Sequence, residues 1–317
     1  MNRALITVTD LSVDFSVNGV VTNTPLRGVS FMVESGKTLG IVGETGCGKT
    51  LTGLSILNLL PTNAKRKGEI TIEGIGALTS ESIQQLRGTK ISFIFQNPHS
   101  AFNPVFTISQ QLLIVTKRHG LPKTEGLAII KDRLSEVGLP DVDRVLHSYP
   151  HQLSGGMLQR CMIAMALLGK PMLLIADEPT TALDSTIARQ ILSLIVTLQK
   201  QYGFALIFIS HDVGLISDIS DQIAVLYTGR IVETGPTQMV LSNPKHPYTQ
   251  GLLSAIPSRS IEPGQLTAIP GQVPANTLTI VGCSFASRCP KVHQKCSTDP
   301  RLELVHDREV ACWAVSL

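Results

Sequence analysis

The sequence predicts an α/β fold with a largely parallel sheet, an α-helical insertion and a small C-terminal extension. Three observations carry that prediction. Short β-branched runs alternate with helical segments, the pattern of strands joined by crossover helices. Residues 105–168 read as helices without intervening strands, an insertion into the α/β core. After about residue 235 the text turns Pro-rich: eight of the eighteen prolines fall between 236 and 290, which marks a linker and a separate extension. The expected organisation is a large domain over 1–250, with its helical insertion at about 97–168, and an extension over 251–317.

The apolar runs place strands at 5–15, 28–34, 38–42, 69–73, 90–95, 172–177, 204–210, 222–227 and 230–233. "KTLTGLSILNLL" from Lys49 reads as a helix stopped by Pro61. Helices are also expected at 107–118 and 124–137, the second with Leu127, Ile130, Leu134 and Val137 on one face. "KRK" at 65–67, the densest basic cluster, reads as a solvated loop.

A chain of 317 residues with 43% hydrophobic and 16% charged residues is globular, and long enough to bury a sizeable core. The net charge of +3, without a run of five basic residues, argues against a nucleic-acid partner. "MNRALITVTD" turns polar too early for a secretory signal, and no stretch of eighteen apolar residues exists to span a membrane.

The chemistry begins at "GETGCGKT", 43–50, between the apolar strand "TLGIV" and a helix. This is the phosphate-loop pattern G-x-x-x-x-G-K-[ST] in its required context. Gly43, Glu44, Thr45, Gly46, Cys47 and Gly48 supply a backbone that closes around phosphate oxygens, and the helix entered through Lys49, Thr50 and Leu51 adds its positive end. Lys49 would neutralise the β- and γ-phosphates and Thr50 would ligate Mg²⁺. Cys47 occupies a free position of the motif and receives no redox role. "MLLIADEP", 172–179, is an apolar strand ending in two acids: Asp177 to complete the Mg²⁺ shell, Glu178 to polarise an attacking water. In "LSGGMLQR", 153–160, Ser154, Gly155 and Gly156 at a helix start make a second anion cradle. One nucleotide needs only one such loop, so the expectation is that each site is closed by the second loop of a partner subunit.

The order phosphate loop, "IFQNP", "LSGGM", "LLIADEP", "TALD" and "FISHD" resembles the ATP-binding subunit of ABC transporters over residues 5 to 235. The resemblance implies a P-loop NTPase (RecA-like) core with an antiparallel β subdomain beside the helical insertion, and an active ATPase using ATP and Mg²⁺. It makes Gln96 the glutamine that senses Mg²⁺ and contacts the membrane subunit. Leu153, Ser154, Gly155, Gly156, Met157 and Gln159 become the signature that reaches a partner's nucleotide. Asp184 falls in the loop communicating across the dimer, His211 becomes the switch histidine on the γ-phosphate, and Phe15 the aromatic that stacks on adenine, with Phe31 as the other candidate. Met157 replaces a glutamine often found there.

The tail "NPKHPYTQGLLSAIPS", with "GCSFASRCP" and "VACW", is similar to the C-terminal extension of oligopeptide, dipeptide and nickel importer ATPases, as are "NPHSAFNP" and "SYPHQLSGGM". That resemblance implies peptide import, with uptake of nickel or another chelated metal as the alternative. It implies a second ABC ATPase subunit in a heterodimer (a homodimer being the alternative), two integral-membrane permeases docked near Gln96 to Val105, an extracytoplasmic solute-binding protein, and a peripheral place on the cytoplasmic face of the membrane. A soluble ABC ATPase of translation or DNA repair is disfavoured by the single ATP site per chain, and a binding-only module by the intact Glu178 and His211.

Cys283, Cys289, Cys296 and Cys312 gather four of the six thiols into the tail. Disulfides are the weakest reading for a cytosolic chain. Zinc remains open, although its usual C-x₂₋₄-C pairs are absent. A [4Fe–4S] cluster tolerates the wide, uneven spacing, and the resemblance to peptide-importer ATPases strengthens it. A cluster there is expected to staple a tail too short to build its own core.

Overall fold

The structure, a computed structural model, describes residues 4–181, 183–255 and 269–315. Residues 256–268, in the expected Pro-rich linker, lie outside the described residues. In chain order the elements are β1 (Ala4–Val17), β2 (Val20–Glu34), β3 (Thr38–Val42), α1 (Lys49–Ile56), β4 (Ala64–Ile72), β5 (Gly76–Ala77), α2 (Ser80–Leu86), β6 (Ile91–Ile94), α3 (Pro98–Ala101), α4 (Ile108–Arg118), α5 (Lys123–Glu136), α6 (Val142–His147), α7 (Gly155–Leu167), β7 (Leu173–Asp177), α8 (Ser185–Tyr202), β8 (Ala205–Ser210), α9 (Val213–Ile219), β9 (Gln222–Tyr227), β10 (Arg230–Pro236), α10 (Thr237–Ser242), α11 (Pro247–Ser254), β11 (Glu303–Val305) and β12 (Arg308–Val310). The chain divides into two compact units, Met1–Leu78 with Phe208–Leu317, and Thr79–Ile207.

The first unit carries the antiparallel subdomain, a sheet in the order β2-β1-β4-β5. Its hairpin turns at Asn18 and Gly19, both with positive φ (50° and 80°), so that Val17 pairs Val20. Asn-Gly adopts this turn at little cost, and its twist matches that of the strands. Leu5, Ile6, Val8, Leu11 and Val13 of β1 are buried. The "KRK" loop of the sequence reading is corrected here: Lys65, Arg66 and Lys67 lie in β4, paired to Asp14, Val13 and Ser12. Arg66 donates to the carbonyls of Ser55 and Leu78, and Lys67 Nζ stands 2.7 Å from Asp14 Oδ2. Asp14 on β1 and the carbonyls of Ser55 and Leu78 satisfy a basic strand that has no apolar pattern to announce it. Gly68 sits at φ +88 where a Cβ would come within 2.4 Å of Asp10 O, opposite the bulge between Thr9 and Ser12.

The second sheet of this unit runs β11-β12-β10-β9-β3, with β3 and β9 parallel and the rest antiparallel. Two strands of the extension therefore continue the sheet of the large domain, pairing Val310 with Glu233. Glu233 is fully buried and accepts from the backbone N–H of Lys245 and His246, both at 2.9 Å, with Arg308 Nη1 at 3.4 Å. Burying a carboxylate is tolerable only with such donors. α1 ends at Ile56, short of Pro61, because Asn58 and Leu59 turn back onto Ser55 and Leu54.

The second unit holds the parallel pair β6 and β7, in register Ile91 to Leu173, and the helices α2 to α8. α4 starts from a capping box in which Thr107 accepts from Gln110 N and Gln110 accepts from Thr107 N. α5 buries Ile130 and Leu134, and Val137 behind it is buried too, as the periodicity predicts. Among the described residues no helix is long and apolar enough to cross a membrane.

Candidate functional site

In the first unit, β3 is buried along its whole length and delivers the chain into the phosphate loop. Gly43 follows where a Cβ would lie 2.2 Å from Leu226 O, so no other residue fits without moving β9. Gly48 caps α1 at φ 104, a left-handed conformation only glycine adopts freely, and no side chain caps the helix. With no side-chain cap, the positive end of the α1 dipole is what the loop offers an anion. Lys49, 5% exposed, lays its ammonium on the loop, donating to Gly43 O (2.9 Å) and Glu44 O (3.1 Å). Thr50 is exposed in that first turn, and Thr45 and Gly46 are exposed on the loop. Cys47 is buried, its thiol pushed up to about 11 by burial, which suits a packing residue and no redox role.

Glu44 carries interactions that the motif did not reveal. Its N–H donates to Tyr248 Oη at 2.8 Å, and its carboxylate receives both guanidinium nitrogens of Arg288, at 2.6 and 3.0 Å. Tyr248 comes from α11 and Arg288 from the extension. Both lie in tail stretches that the resemblance singles out, but nothing in those stretches assigns either residue to the phosphate loop. Phe15 is half-buried on β1, paired with Asn23 across the hairpin. His211 is exposed directly after β8, and Asp212 beside it caps α9 by accepting from Gly214 N and Leu215 N.

In the second unit Asp177 ends β7, 3% exposed, and Glu178 follows with a φ of 43°. A non-glycine residue held there is uncommon and is found at functional sites. Gln96 Nε2 donates to Glu178 Oε2 at 3.0 Å, and Thr181 Oγ1 donates to the same oxygen at 2.8 Å. Gln96 and Glu178, predicted separately, are brought together; Thr181 is a partner the sequence did not single out. Ser154 caps α7, its hydroxyl accepting from Met157 N. Ser154 is exposed, with Gly155, Gly156 and Met157 half-buried behind it and Leu153 buried. A Cβ on Gly156 would meet Ile187 Cγ2 at 3.1 Å, so the signature packs against the start of α8. Asp184 caps that helix by accepting from Thr186 N and Ile187 N. Gln159, by contrast, is fully buried, facing inward rather than toward a partner, and among the described residues neither amide atom has a hydrogen-bond partner.

The four tail thiols share one neighbourhood. Cys283 N donates to Cys296 O at 2.9 Å, and burial first, then the other thiols, raises Cys283 to about 11. Cys289 and Cys312 are raised likewise. Four neighbouring thiols carry the donor chemistry that iron–sulfur clusters and zinc take. As they stand, however, no group of three or more Cys, His, Asp or Glu among the described residues is arranged to hold a metal ion. The expected centre is therefore a gathering of thiols without metal geometry. Thr50 and Asp177 present the hard oxygen donors that Mg²⁺ takes.

Comparison with known proteins places these features. The ABC transporter family model matches residues 26–181, and the model for the C-terminal region of oligopeptide/dipeptide transporters matches 232–296. The oligopeptide transport ATP-binding protein OppD of Salmonella typhimurium is 41% identical over 95% of this chain and 90% of its own. OppD of Haemophilus influenzae is 39% identical over 98% and 97%. Among solved structures, the ATP-binding cassette MJ0796, in a dimeric post-hydrolysis state bound to ADP and Pi, aligns with a TM-score of 0.63 and 26% identity over 73% of this chain and 98% of that one. Phosphate loop, signature, acidic strand end and thiol-bearing tail thus stand together in one chain, which belongs to the ATP-binding subunits of oligopeptide/dipeptide ABC transporters.

Proposed function

We propose that this ATPase drives peptide import as one half of a nucleotide sandwich, each ATP lying between one phosphate loop and the partner's Ser154-Gly155-Gly156. The observation that carries the reading is the loop itself: a glycine-capped helix start without side-chain cap, with a buried lysine laid across it. In this reading Lys49 replaces its two carbonyl contacts by β- and γ-phosphate oxygens. Glu178, steadied by Gln96 and Thr181, accepts the proton of the attacking water, and His211 contacts the γ-phosphate. Phe15 stacks on adenine. Thr50, Gln96 and Asp177 would hold Mg²⁺, which when bound would supply positive charge to the phosphates. ATP turnover by the full chain, alone and with its permeases, tests this. Lys49→Ala should lose nucleotide binding; wild-type turnover in that variant would refute the assignment.

The partner in this proposal is a second, different ATPase, on two permeases at the cytoplasmic face of the membrane with an external solute-binding protein. The relatives named for oligopeptide transport favour peptides over chelated nickel. Co-purification yielding a single ATPase species twice per complex would overturn the heterodimer. For the tail we propose a [4Fe–4S] cluster on Cys283, Cys289, Cys296 and Cys312, with zinc as the alternative. Support comes from the resemblance and from Cys283, Cys289 and Cys312, whose pKa values are raised first by burial and further by neighbouring thiols. Binding requires them to draw closer than they stand. Anaerobic purification should yield brown protein with about four irons per chain; colourless protein with stoichiometric zinc would transfer the site to zinc.

A further inference from the structure

We infer that Arg288 of the C-terminal extension is a positioning residue of the nucleotide site, acting through Glu44 of the phosphate loop. The inference rests on reading residues 43–50 as the triphosphate cradle. Glu44 is an unwelcome residue there, because a carboxylate beside a polyanion repels it. Its charge is met by a guanidinium fork of two bonds, 2.6 and 3.0 Å long, from an arginine whose side chain is 4% exposed. A bidentate fork fixes orientation as well as charge. The arginine is itself held: its Nε donates to Pro270 O at 2.7 Å, and it stands over the Tyr227 ring. The Glu44 carboxylate in turn pushes the Arg288 pKa above the ordinary guanidinium value.

The loop is gripped from the backbone too, through the Glu44 N–H on Tyr248 Oη. Tyr248, Tyr227 and Phe285 pack their rings with centroids 4.6 to 5.4 Å apart, so the anchor is rigid. The extension also reaches the hairpin residue paired with Phe15. Asn23 Nδ2 donates to Ala275 O, and Thr277 donates to Asn23 Oδ1 through both N–H and hydroxyl. Tail residues 269–288 therefore contact both the phosphate end and the Phe15 end of the first unit's nucleotide residues. Arg288 keeps the Glu44 carboxylate neutralised and turned toward the tail, leaving the cradle to the triphosphate.

Titration of the full-length protein with a fluorescent ATP analogue tests this. Arg288→Gln releases an unneutralised carboxylate at the loop and should weaken binding about 10-fold, the size of one partly screened charge at several ångströms. Adding Glu44→Gln to that variant should recover most of the loss, because the repelling charge has gone. A merely structural role for Arg288 would leave the double variant as weak as the single. Wild-type affinity in Arg288→Gln, or no recovery in the double variant, overturns the inference. Arg288→Lys keeps the charge without the fork and should fall between; should Arg288→Gln fail to fold, Arg288→Lys with and without Glu44→Gln decides by the same recovery. Lys49→Ala run in parallel separates the two readings. If it binds as tightly as wild type, the cradle assignment has failed rather than the tether.

Discussion

Gln96 donates through Nε2 to Glu178 Oε2 at 3.0 Å, so the glutamine after β6 and the acid after β7 form one hydrogen-bonded pair in the second unit. Parallel pairing of the two strands sets this: Ile94 lies opposite Ala176, and the residues beyond the strand ends converge. Glu178→Gln keeps the shape and removes the base. It should reduce ATP turnover by roughly 10²–10⁴-fold while nucleotide binding persists. Steady-state phosphate release and equilibrium nucleotide binding, measured on the same preparation, check both halves of that expectation.

Asp184 caps α8 whatever else it does, and the two roles separate by substitution. Asp184→Ala should cost about 1 kcal/mol of stability through the lost cap, whereas Asp184→Asn keeps an acceptor and should cost a few tenths. If the carboxylate also communicates across a dimer, Asp184→Asn lowers ATPase activity at unchanged melting temperature. Unaltered activity would confine Asp184 to capping.

His246 makes stability depend on pH. It is 1% exposed, its Nδ1 accepts from Tyr248 N at 3.0 Å, and burial lowers its pKa to about 3. The folded state therefore keeps it neutral, while the unfolded chain takes up a proton below about pH 6.5. Its contribution is complete above pH 6.5 and is lost as pH falls from there toward 3, by up to about 1.4 kcal/mol per unit. His246→Asn retains a capping acceptor without titrating. Denaturant unfolding at pH 7.5, 6 and 5 should show a shallower slope in the variant; equal slopes would locate the acid sensitivity elsewhere.

Gln159 is a polar side chain at a site that offers it no partner among the described residues. Gln159→Met keeps the volume and removes two unsatisfied groups, so urea unfolding should report a gain of about 1–2 kcal/mol. A loss instead would mean that the amide is satisfied in the assembled protein.

What is local is legible in the text of the chain alone. Gly43, Gly48 and Lys49 lie within seven residues in one spaced pattern, legible although the close approach that requires glycine at 43 comes from Leu226 of β9. The same holds for the caps at Ser154 and Asp184, where a short side chain bonds an amide two or three residues on. Amphipathic α5 was legible because its period of burial is written in its own text. Tertiary structure decided what depends on distant segments meeting. Lys65 to Lys67 became a strand because β1 was there to pair with it, not because of their own preference. The extension's strands joined β10 through Val310 and Glu233, with no apolar pattern long enough to announce them. Arg288 and Glu44 are 244 residues apart, and neither residue type carries a period or spacing that points to the other. Their pairing follows from the rings of Tyr227, Tyr248 and Phe285, which pack the tail against the phosphate loop and leave the guanidinium facing the Glu44 carboxylate.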